Sequence, residues 1–445
     1  MKPLRILVIQ PTGDRMGHYG IYTVKLCQAL GKIGHSVALC TNRIYPERYL
    51  QEPLDFTVYE IDGGRLGFER YERQFSGIEP YYGFEPHYWW GHFKTNLRVA
   101  WEGMRLCRLQ HFDAVYMTDV EFLIASLVVR RHRAAVPPVV IQVSAANFTL
   151  DTYSGSLPKK VYKVLQREVF RRMLGREIRA ISILGEWHRD RLRRQLRAPH
   201  DFPIAVIPDG GGDAGVPIDK REARSKLGIG HTGPILLFFG MLRRDKGIET
   251  LIDAASRVPK GDWRILIAGF PLDYTADKIH ALVAKHNVQD RVILRLEYIS
   301  DDEVPLYYYA SDGVVFPYAG IYTGGSGPLM KGACTYGRAV IACRVSELGR
   351  LVEEHGLGFI SAPDDPQSLA AAIDKFLVTP DERRREMAER ALALGRANSW
   401  HLMATRFSEL FGGLLGSIAE GCSVVPSGIE LMLCRSMRCR PNVAT

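Results

Sequence analysis

Short apolar runs of strand length alternate with longer stretches of helical periodicity along most of this chain. Residues 5–10 form such a run. Residues 12–20 follow as a glycine-bearing loop, 21–33 repeat apolar side chains at helical spacing until Gly34, and 35–41 turn apolar again. A strand, a crossover helix and a second strand make a βαβ unit, whose strands run parallel. Chains built from such units form parallel sheets covered by helices on both faces. The pattern predicts further strands at 56–61, 114–118, 139–143, 180–183 and 204–207, and helices at 92–109, 120–133, 157–174 and 186–195.

The second half repeats the pattern. Strands are expected at 235–240, 263–268, 292–296, 313–316, 339–342 and 358–361. Helices are expected at 247–257, 276–286, 302–310, 327–336, 348–355, 366–377, 380–393 and 400–415. Between the halves, Pro-Asp-Gly-Gly-Gly-Asp-Ala-Gly at 208–215 has the composition of a linker or a ligand-lining loop. The expected organisation is a Rossmann-like α/β domain over 1–208, a linker over 209–232, and a second Rossmann-like domain over 233–398. A helix over 399–418 and an aperiodic tail over 419–445 complete it. Open parallel sheets bind ligands beyond the carboxyl ends of their strands, so two such domains facing across a cleft can each hold one substrate.

The net charge of +9 is unevenly spread: residues 1–200 carry 30 Lys/Arg against 19 Asp/Glu. Within that half, residues 159–197 hold 13 Lys/Arg and 4 Asp/Glu, with Val161, Leu165, Val169 and Met173 at helical spacing. A basic amphipathic surface of this kind suits peripheral contact with an anionic membrane; a solvated helix face is the other reading. No nucleic-acid-binding motif accompanies the charge, so nucleic acid is not expected as a partner. No apolar run approaches ~18 residues, and the N-terminal run lacks the length and cleavage site of a signal peptide. The expected setting is cytoplasmic, with any membrane contact peripheral and at the inner face. Eight cysteines without paired spacing read as thiols rather than a zinc site.

Three segments could carry chemistry. Gly240, Arg243, Arg244 and Lys246 lie between an expected strand end and the helix opened by Gly247. Cations and free N–H groups at a helix start form a phosphate site, although a solvated basic turn has the same composition. Gly324-Gly325-Ser326-Gly327-Pro328 opens another helix, and its glycines allow a ligand's oxygens close to backbone N–H groups. In the first half, Gly17, His18 and Gly20 follow the first strand, where His18 could bond a substrate hydroxyl. The aromatic stretch 81–93 reads as an acceptor lining or as core packing. Asp301-Asp302 and Asp364-Asp365 read as helix caps, so neither metal nor cofactor is expected.

Residues from about 204 to 408 resemble the donor half of the family 4 (group 1) retaining glycosyltransferases of GT-B fold. The resemblance rests on an ordered series: Val206-Ile207-Pro208-Asp209-Gly210, Phe239-Gly240 through Lys246-Gly247, residues 265–269, residues 306–312, Phe316-Pro317, residues 337–341 and Gly356-Leu357-Gly358-Phe359. Gly17-His18, Gly34-His35-Ser36-Val37 and Glu186-Trp187 resemble the acceptor half, and Ser399-Trp400 resembles the start of the helix that crosses back to it. The resemblance implies transfer of a sugar from a nucleotide-diphosphate sugar, with retention and without a metal, to an acceptor whose identity stays open. It casts Lys246 as the lysine that neutralises the donor phosphates. Arg243 stands in for the arginine that usually follows the glycine, a position held here by Met241. Gly240, Arg244, Gly324, Gly325, Ser326 and Gly327 would complete the donor grip, Tyr298 and Ile299 would flank the base, and Gly17, His18, Gly20 and Ser144 would face the acceptor. Two departures stand out. The family's two glutamates spaced E-x7-E correspond to Gly324 and Gly332, and its histidine after the fourth strand is replaced by Val143-Ser144-Ala145-Ala146-Asn147. These losses leave an alternative: a catalytically inactive nucleotide-sugar-binding or partner protein of the same fold.

Overall fold

The structure, a computed structural model, describes residues 2–13, 18–42, 54–61, 86–132, 137–144, 148, 157–212, 214–259, 261–421 and 437–440. It divides into two compact units. One holds the described residues up to Pro208 together with those from Trp400 on, and the other spans Asp209–Ser399.

The first unit is built from β1 (Arg5–Gln10), α1 (His18–Lys32), β2 (Ser36–Thr41), β3 (Thr57–Ile61), α2 (Pro86–Leu109), β4 (Ala114–Met117), α3 (Phe122–His132), β5 (Val139–Val143), α4 (Leu157–Met173), β6 (Ile178–Ile183), α5 (Glu186–Leu196) and β7 (Ile204–Val206). These strands pair in parallel in the order β3-β2-β1-β4-β5-β6-β7, so the strand order reverses between β1 and β4. Alternate side chains of each strand feed two apolar layers. Leu7, Ile9, Val115, Ile141 and Ile181 pack on one face, and Ile6, Val8, Tyr116, Val140 and Ala180 on the other. The strand centres are apolar because both faces are covered. Their carboxyl ends are not: Gln10, Thr41, Thr118, Gln142 and Ser182 are buried polar residues placed at or just beyond those ends.

The second unit comprises α6 (Lys220–Lys226), β8 (Ile235–Phe239), α7 (Ile248–Arg257), β9 (Arg264–Ala268), α8 (Ala276–Lys285), β10 (Val292–Arg295), α9 (Val304–Ala310), β11 (Gly313–Phe316), α10 (Cys334–Tyr336), β12 (Ala339–Cys343), α11 (Ser346–Glu354), β13 (Gly358–Ser361), α12 (Pro366–Val378) and α13 (Asp381–Ala397). Its six strands are all parallel in the order β10-β9-β8-β11-β12-β13, with the reversal between β8 and β11. Both units therefore carry the doubly wound order, in which ligands bind at the switch point.

The last helix, α14 (Trp400–Gly421), belongs to the first unit. Met403, Ala404, Phe407 and Phe411 are buried in one apolar layer of its sheet, and Ser408 Oγ lies 2.7 Å from His35 Nε2. This is the crossing-back helix expected from the sequence. Three expectations are corrected. The 209–232 stretch is not a bare linker: Asp219 caps α6 by accepting from the amides of Arg221 and Glu222, and Arg224 is buried. The tail beyond 419 contains β14 (Met437–Arg440), paired antiparallel with β3, because four extended residues can satisfy an open sheet edge. Asp301 and Asp302 are not caps, since Glu303 holds the position before α9 without a side-chain cap bond; Asp365 does cap α12.

Candidate functional site in the second unit

The segment from Gly240 to Gly247 leaves the carboxyl end of β8 at the switch point. Its path depends on two glycines. Gly269, at φ +141, passes so close to Gly240 that a Cβ there would collide with the Gly240 carbonyl. Gly247, at φ +66, lets the chain turn from a 3-10 turn (Arg244–Lys246) into α7 against the Pro317 carbonyl. A residue with a Cβ would be strained at either position. The Ala319 amide donates to the Asp245 carbonyl at 3.0 Å, tying this loop to the one after β11.

Lys246 is 8% exposed, with its Nζ 5.8 Å from the centre of the Tyr318 ring. Burial, reinforced by the neighbouring Arg243 and opposed by Asp245, pushes its ammonium down to about 8. Arg243 is held by Asp245 in a two-bond pair, Nε at 3.0 Å and an Nη at 2.8 Å. Arg244 is exposed, and its amide donates to Asp273. The loop thus presents a compact positive centre in a low-dielectric setting, with α7 starting at Gly247 without a side-chain cap.

The loop after β11 completes the site. Tyr318 and Tyr322 pack with ring centres 4.5 Å apart, and the Tyr322 hydroxyl donates to the Gly325 carbonyl at 3.1 Å. Ser346 Oγ donates to the Gly324 carbonyl at 2.6 Å. Ser326 is fully buried, and among the described residues neither its hydroxyl nor that of Tyr318 has a hydrogen-bond partner. Buried orphan hydroxyls cost free energy unless a ligand meets them. Gly327 is required by Asp209, whose Oδ2 would lie 2.7 Å from a Cβ there. After Pro328 the helix runs through a π-helical turn (Leu329–Ala333) into α10, where the sequence predicted a regular helix. Such turns accumulate at functional sites.

Gly240, Arg243, Lys246, Ser326 and the glycine turn thus lie beyond the carboxyl ends of the central strands β8 and β11. Tyr298 and Ile299 follow β10, two strands from β8 in the sheet order; Tyr298 is exposed and Ile299 is buried in the core. In the first unit, the helix α1 starts at His18 rather than at 21, so His18 and Gly20 stand in its first turn instead of in a loop, and Gly20 is buried. Gly17 and the aromatic residues 81–85 lie outside the described residues, and 86–93 belong to α2. Ser144, exposed after β5, lines an open cavity of 310 Å³. Sequence reasoning missed Tyr318, Tyr322 and Asp209 as site residues. Two tyrosines between Gly313 and Gly324 were the available signal for Tyr318 and Tyr322, and their hydroxyl positions depend on how the loop folds back.

Two doubly wound units in one chain, with a phosphate-type cation loop at the switch point of the second, define a GT-B scaffold. Solved structures share it: sucrose-phosphate synthase from Thermosynechococcus elongatus superposes with a TM-score of 0.71 at 20% identity, covering 93% of this chain and all of that one. The Anabaena protein HepE in complex with UDP gives a TM-score of 0.66 at 16% identity, covering 92% of this chain and all of that one. The family model described as "Glycosyl transferases group 1" matches residues 219–393, and that described as "Glycosyl transferase 4-like domain" matches residues 19–210. The chain belongs to the group 1 glycosyltransferase family. Among curated relatives, the alpha-D-kanosaminyltransferase of Streptomyces kanamyceticus is 26% identical over 268 residues, 58% of this chain and 66% of the relative. The D-inositol 3-phosphate glycosyltransferase of Corynebacterium urealyticum is 29% identical over 232 residues, 50% of this chain and 54% of the relative. The matched parts thus span about half to two thirds of these relatives.

Proposed function

We propose that the chain transfers a sugar from a nucleotide-diphosphate sugar to an acceptor held by the first unit, with retention and without a metal ion. The observation that carries this reading is Lys246, an ammonium buried beside Arg243 at the switch point of a doubly wound sheet. A buried amine with a second cation next to it is costly until an anion arrives. A diphosphate is an anion of the right chemistry, and the uncapped start of α7 and the orphan hydroxyls of Ser326 and Tyr318 add donors for it. HepE, of the same fold, has been solved in complex with UDP, which supports a nucleotide donor.

In the reaction, the bond between the anomeric carbon and the diphosphate oxygen breaks while the acceptor oxygen bonds to that carbon. The acceptor's proton passes to the departing diphosphate oxygen. Negative charge grows on the diphosphate as the bond breaks, and fixed cations lower the barrier where that charge develops. Lys246 and Arg243 serve as those cations, and the turn from Gly324 to Gly327 holds phosphate or sugar oxygens. No side chain is required as a nucleophile. The inactive alternative rests on the two absent glutamates and the absent histidine, and the positive site just described favours the active one. Incubation with a mixture of nucleotide sugars should consume one of them slowly by hydrolysis, and Lys246→Ala should abolish that consumption. Turnover unchanged in the variant removes Lys246 from the mechanism.

We further propose that the first unit lies against an anionic membrane at its cytoplasmic face. Leu157, Val161 and Leu165, one turn apart on α4, are 74%, 60% and 50% exposed, with Lys160, Lys163 and Arg172 in the same helix. Among the described residues no helix is long and apolar enough to cross a membrane, so the contact would be peripheral.

A further inference from the structure

A carboxylate stands inside the cation loop of the second unit. Arg243 has an extended backbone, φ −110 and ψ 156, and the 3-10 turn Arg244–Lys246 follows it directly. That turn brings Asp245 back beside Arg243. Arg243 Nε donates to Asp245 Oδ1 at 3.0 Å and an Nη to Oδ2 at 2.8 Å, so one edge of the guanidinium is occupied by a carboxylate. Arginine grips a phosphate through the same two-bond geometry.

The pair is not a brace between distant segments. Other arginines of this unit are: Arg291 donates to the carbonyls of Ala255, Val258 and Pro259, and Arg338 to that of Tyr308. Arg243 instead bonds a residue two positions on in its own loop, and the two side chains are 37% and 28% exposed. Ion pairs this exposed contribute little to stability. What the carboxylate changes is the charge that a ligand meets.

Asp245 is nonetheless firmly placed. The Ala319 amide donates to its carbonyl at 3.0 Å, and the amides of Lys246 and Gly247 close the turn on the carbonyls of Arg243 and Arg244 at 3.1 and 3.2 Å. Its charge also reaches past Arg243. It favours the Lys246 ammonium and opposes ionisation of the Tyr318 and Tyr322 hydroxyls. A diphosphate at this loop must displace the carboxylate from its edge of Arg243 or bind another edge against its repulsion. Either way the two anions compete for one cation.

We infer that Asp245 is a positioning residue that holds Arg243 while the site is empty and weakens the grip on the departing nucleoside diphosphate, so that product leaves. The inference rests on the donor reading proposed above. It answers a conflict built into such a site, because cations that stabilise a departing diphosphate also retain it, and product release limits turnover in many enzymes.

The test is calorimetry of the full chain with a panel of nucleoside diphosphates. It is done at about pH 6.5, below the value of about 8 to which Lys246 is lowered, so that the ammonium is charged. Asp245→Asn should bind the preferred nucleotide about tenfold more tightly than the unaltered chain, and in turnover it should show stronger product inhibition. Asp245→Glu keeps the charge and should stay near the affinity of the unaltered chain. A purely structural role for Asp245 predicts the opposite sign, since a distorted loop binds more weakly. A gain of about threefold or more in Asp245→Asn, absent from Asp245→Glu, carries the inference. A smaller gain, a loss, or an equal gain in both variants overturns it. Lys246→Met keeps the two claims apart. Nucleotide binding that Lys246→Met abolishes and Asp245→Asn leaves unchanged sinks the role of Asp245 alone, whereas no nucleotide bound by the unaltered chain or by Asp245→Asn sinks the donor reading together with it.

Discussion

The hydroxyl of Tyr322 occupies the space into which a side chain at position 324 would have to grow. A Cβ built on Gly324 would overlap the Tyr322 hydroxyl and stand 2.9 Å from its Cε2. The same relationship recurs eight residues on, where a Cβ at Gly332 would overlap the Tyr308 hydroxyl and stand 2.8 Å from its Cζ. Tyr308 is fixed there by stacking on Tyr336, with ring centres 4.7 Å apart. Tyrosine side chains from elsewhere in the unit thus fill the space beside both glycines, and a side chain at either position would need the tyrosine to move.

Tyr322→Phe keeps the ring and removes the bond to the Gly325 carbonyl. One such bond contributes about 1 kcal/mol. Because the bond holds the turn that presents Ser326, the expected result is a donor KM raised about threefold to tenfold, with a small fall in melting temperature. Steady-state kinetics beside a thermal melt checks it, and an unchanged KM removes Tyr322 from the donor grip. Gly324→Glu, the nominal repair of the motif, should destabilise the fold by about 1–3 kcal/mol through overpacking. Tyr322→Ala in the same chain should relieve that cost, a coupling readable in a double-mutant cycle.

Lys246→Met should do two opposite things. The folded protein holds this lysine near 8, well below its ordinary value, because of burial and the adjacent Arg243. Below pH 8 the lysine is charged in both the folded and unfolded states, and the folded state bears the full desolvation cost. Methionine removes that cost, so the variant should be more stable near neutral pH by about 1–3 kcal/mol. It should also lose donor turnover. Urea unfolding at pH 7 and at pH 10 separates the effects, because the gain should shrink as the pH rises above 8. A variant that is less stable at pH 7 contradicts the assigned cost.

The fold was legible in the sequence because both sheets are buried on both faces and read as apolar runs between helical patterns. Strands such as Val139–Val143 and Gly313–Phe316 fall where the apolar runs do. What could not be read were features set by distant partners. Helix α6 carries a cap signal in Asp219, but its fixing point is Asp312, which receives Arg224 at 2.9 Å, Lys220 at 2.8 Å and the Ile235 amide at 2.8 Å. Tyr308 and Tyr322 are likewise ordinary core tyrosines until the chain folds back over Gly332 and Gly324. Lys246 and Arg243 were legible because the cations are local to one loop.

Arg224 is 6% exposed and donates to the carbonyls of Ala310, His231, Thr232 and Gly233 as well as pairing with Asp312. Arg224→Met keeps the apolar stem but leaves these acceptors and the carboxylate short of a donor. Breaking one partner of a buried pair costs about 3–5 kcal/mol. The expected loss should appear as a lower urea midpoint, and a change within error would mean that water replaces the guanidinium.

The exposed stripe on α4 makes a prediction independent of catalysis. Three apolar side chains one turn apart, interleaved with Lys160 and Lys163 and followed two turns on by Arg172, should insert shallowly while the cations meet anionic headgroups. The protein should co-sediment with vesicles containing a third or so of anionic lipid, and much less with purely zwitterionic ones. Val161→Glu with Leu165→Glu should abolish the binding, because each change removes apolar surface and adds repulsion. Both positions are already half exposed or more, so the melting temperature should hold. Salt distinguishes the two contributions. Raising ionic strength shortens the Debye length to about 3 Å at 1 M and should weaken the electrostatic part while leaving the apolar anchor. Binding that ignores both the glutamate pair and the lipid charge would assign this face of α4 to solvent, and the membrane reading would fall without touching the donor site.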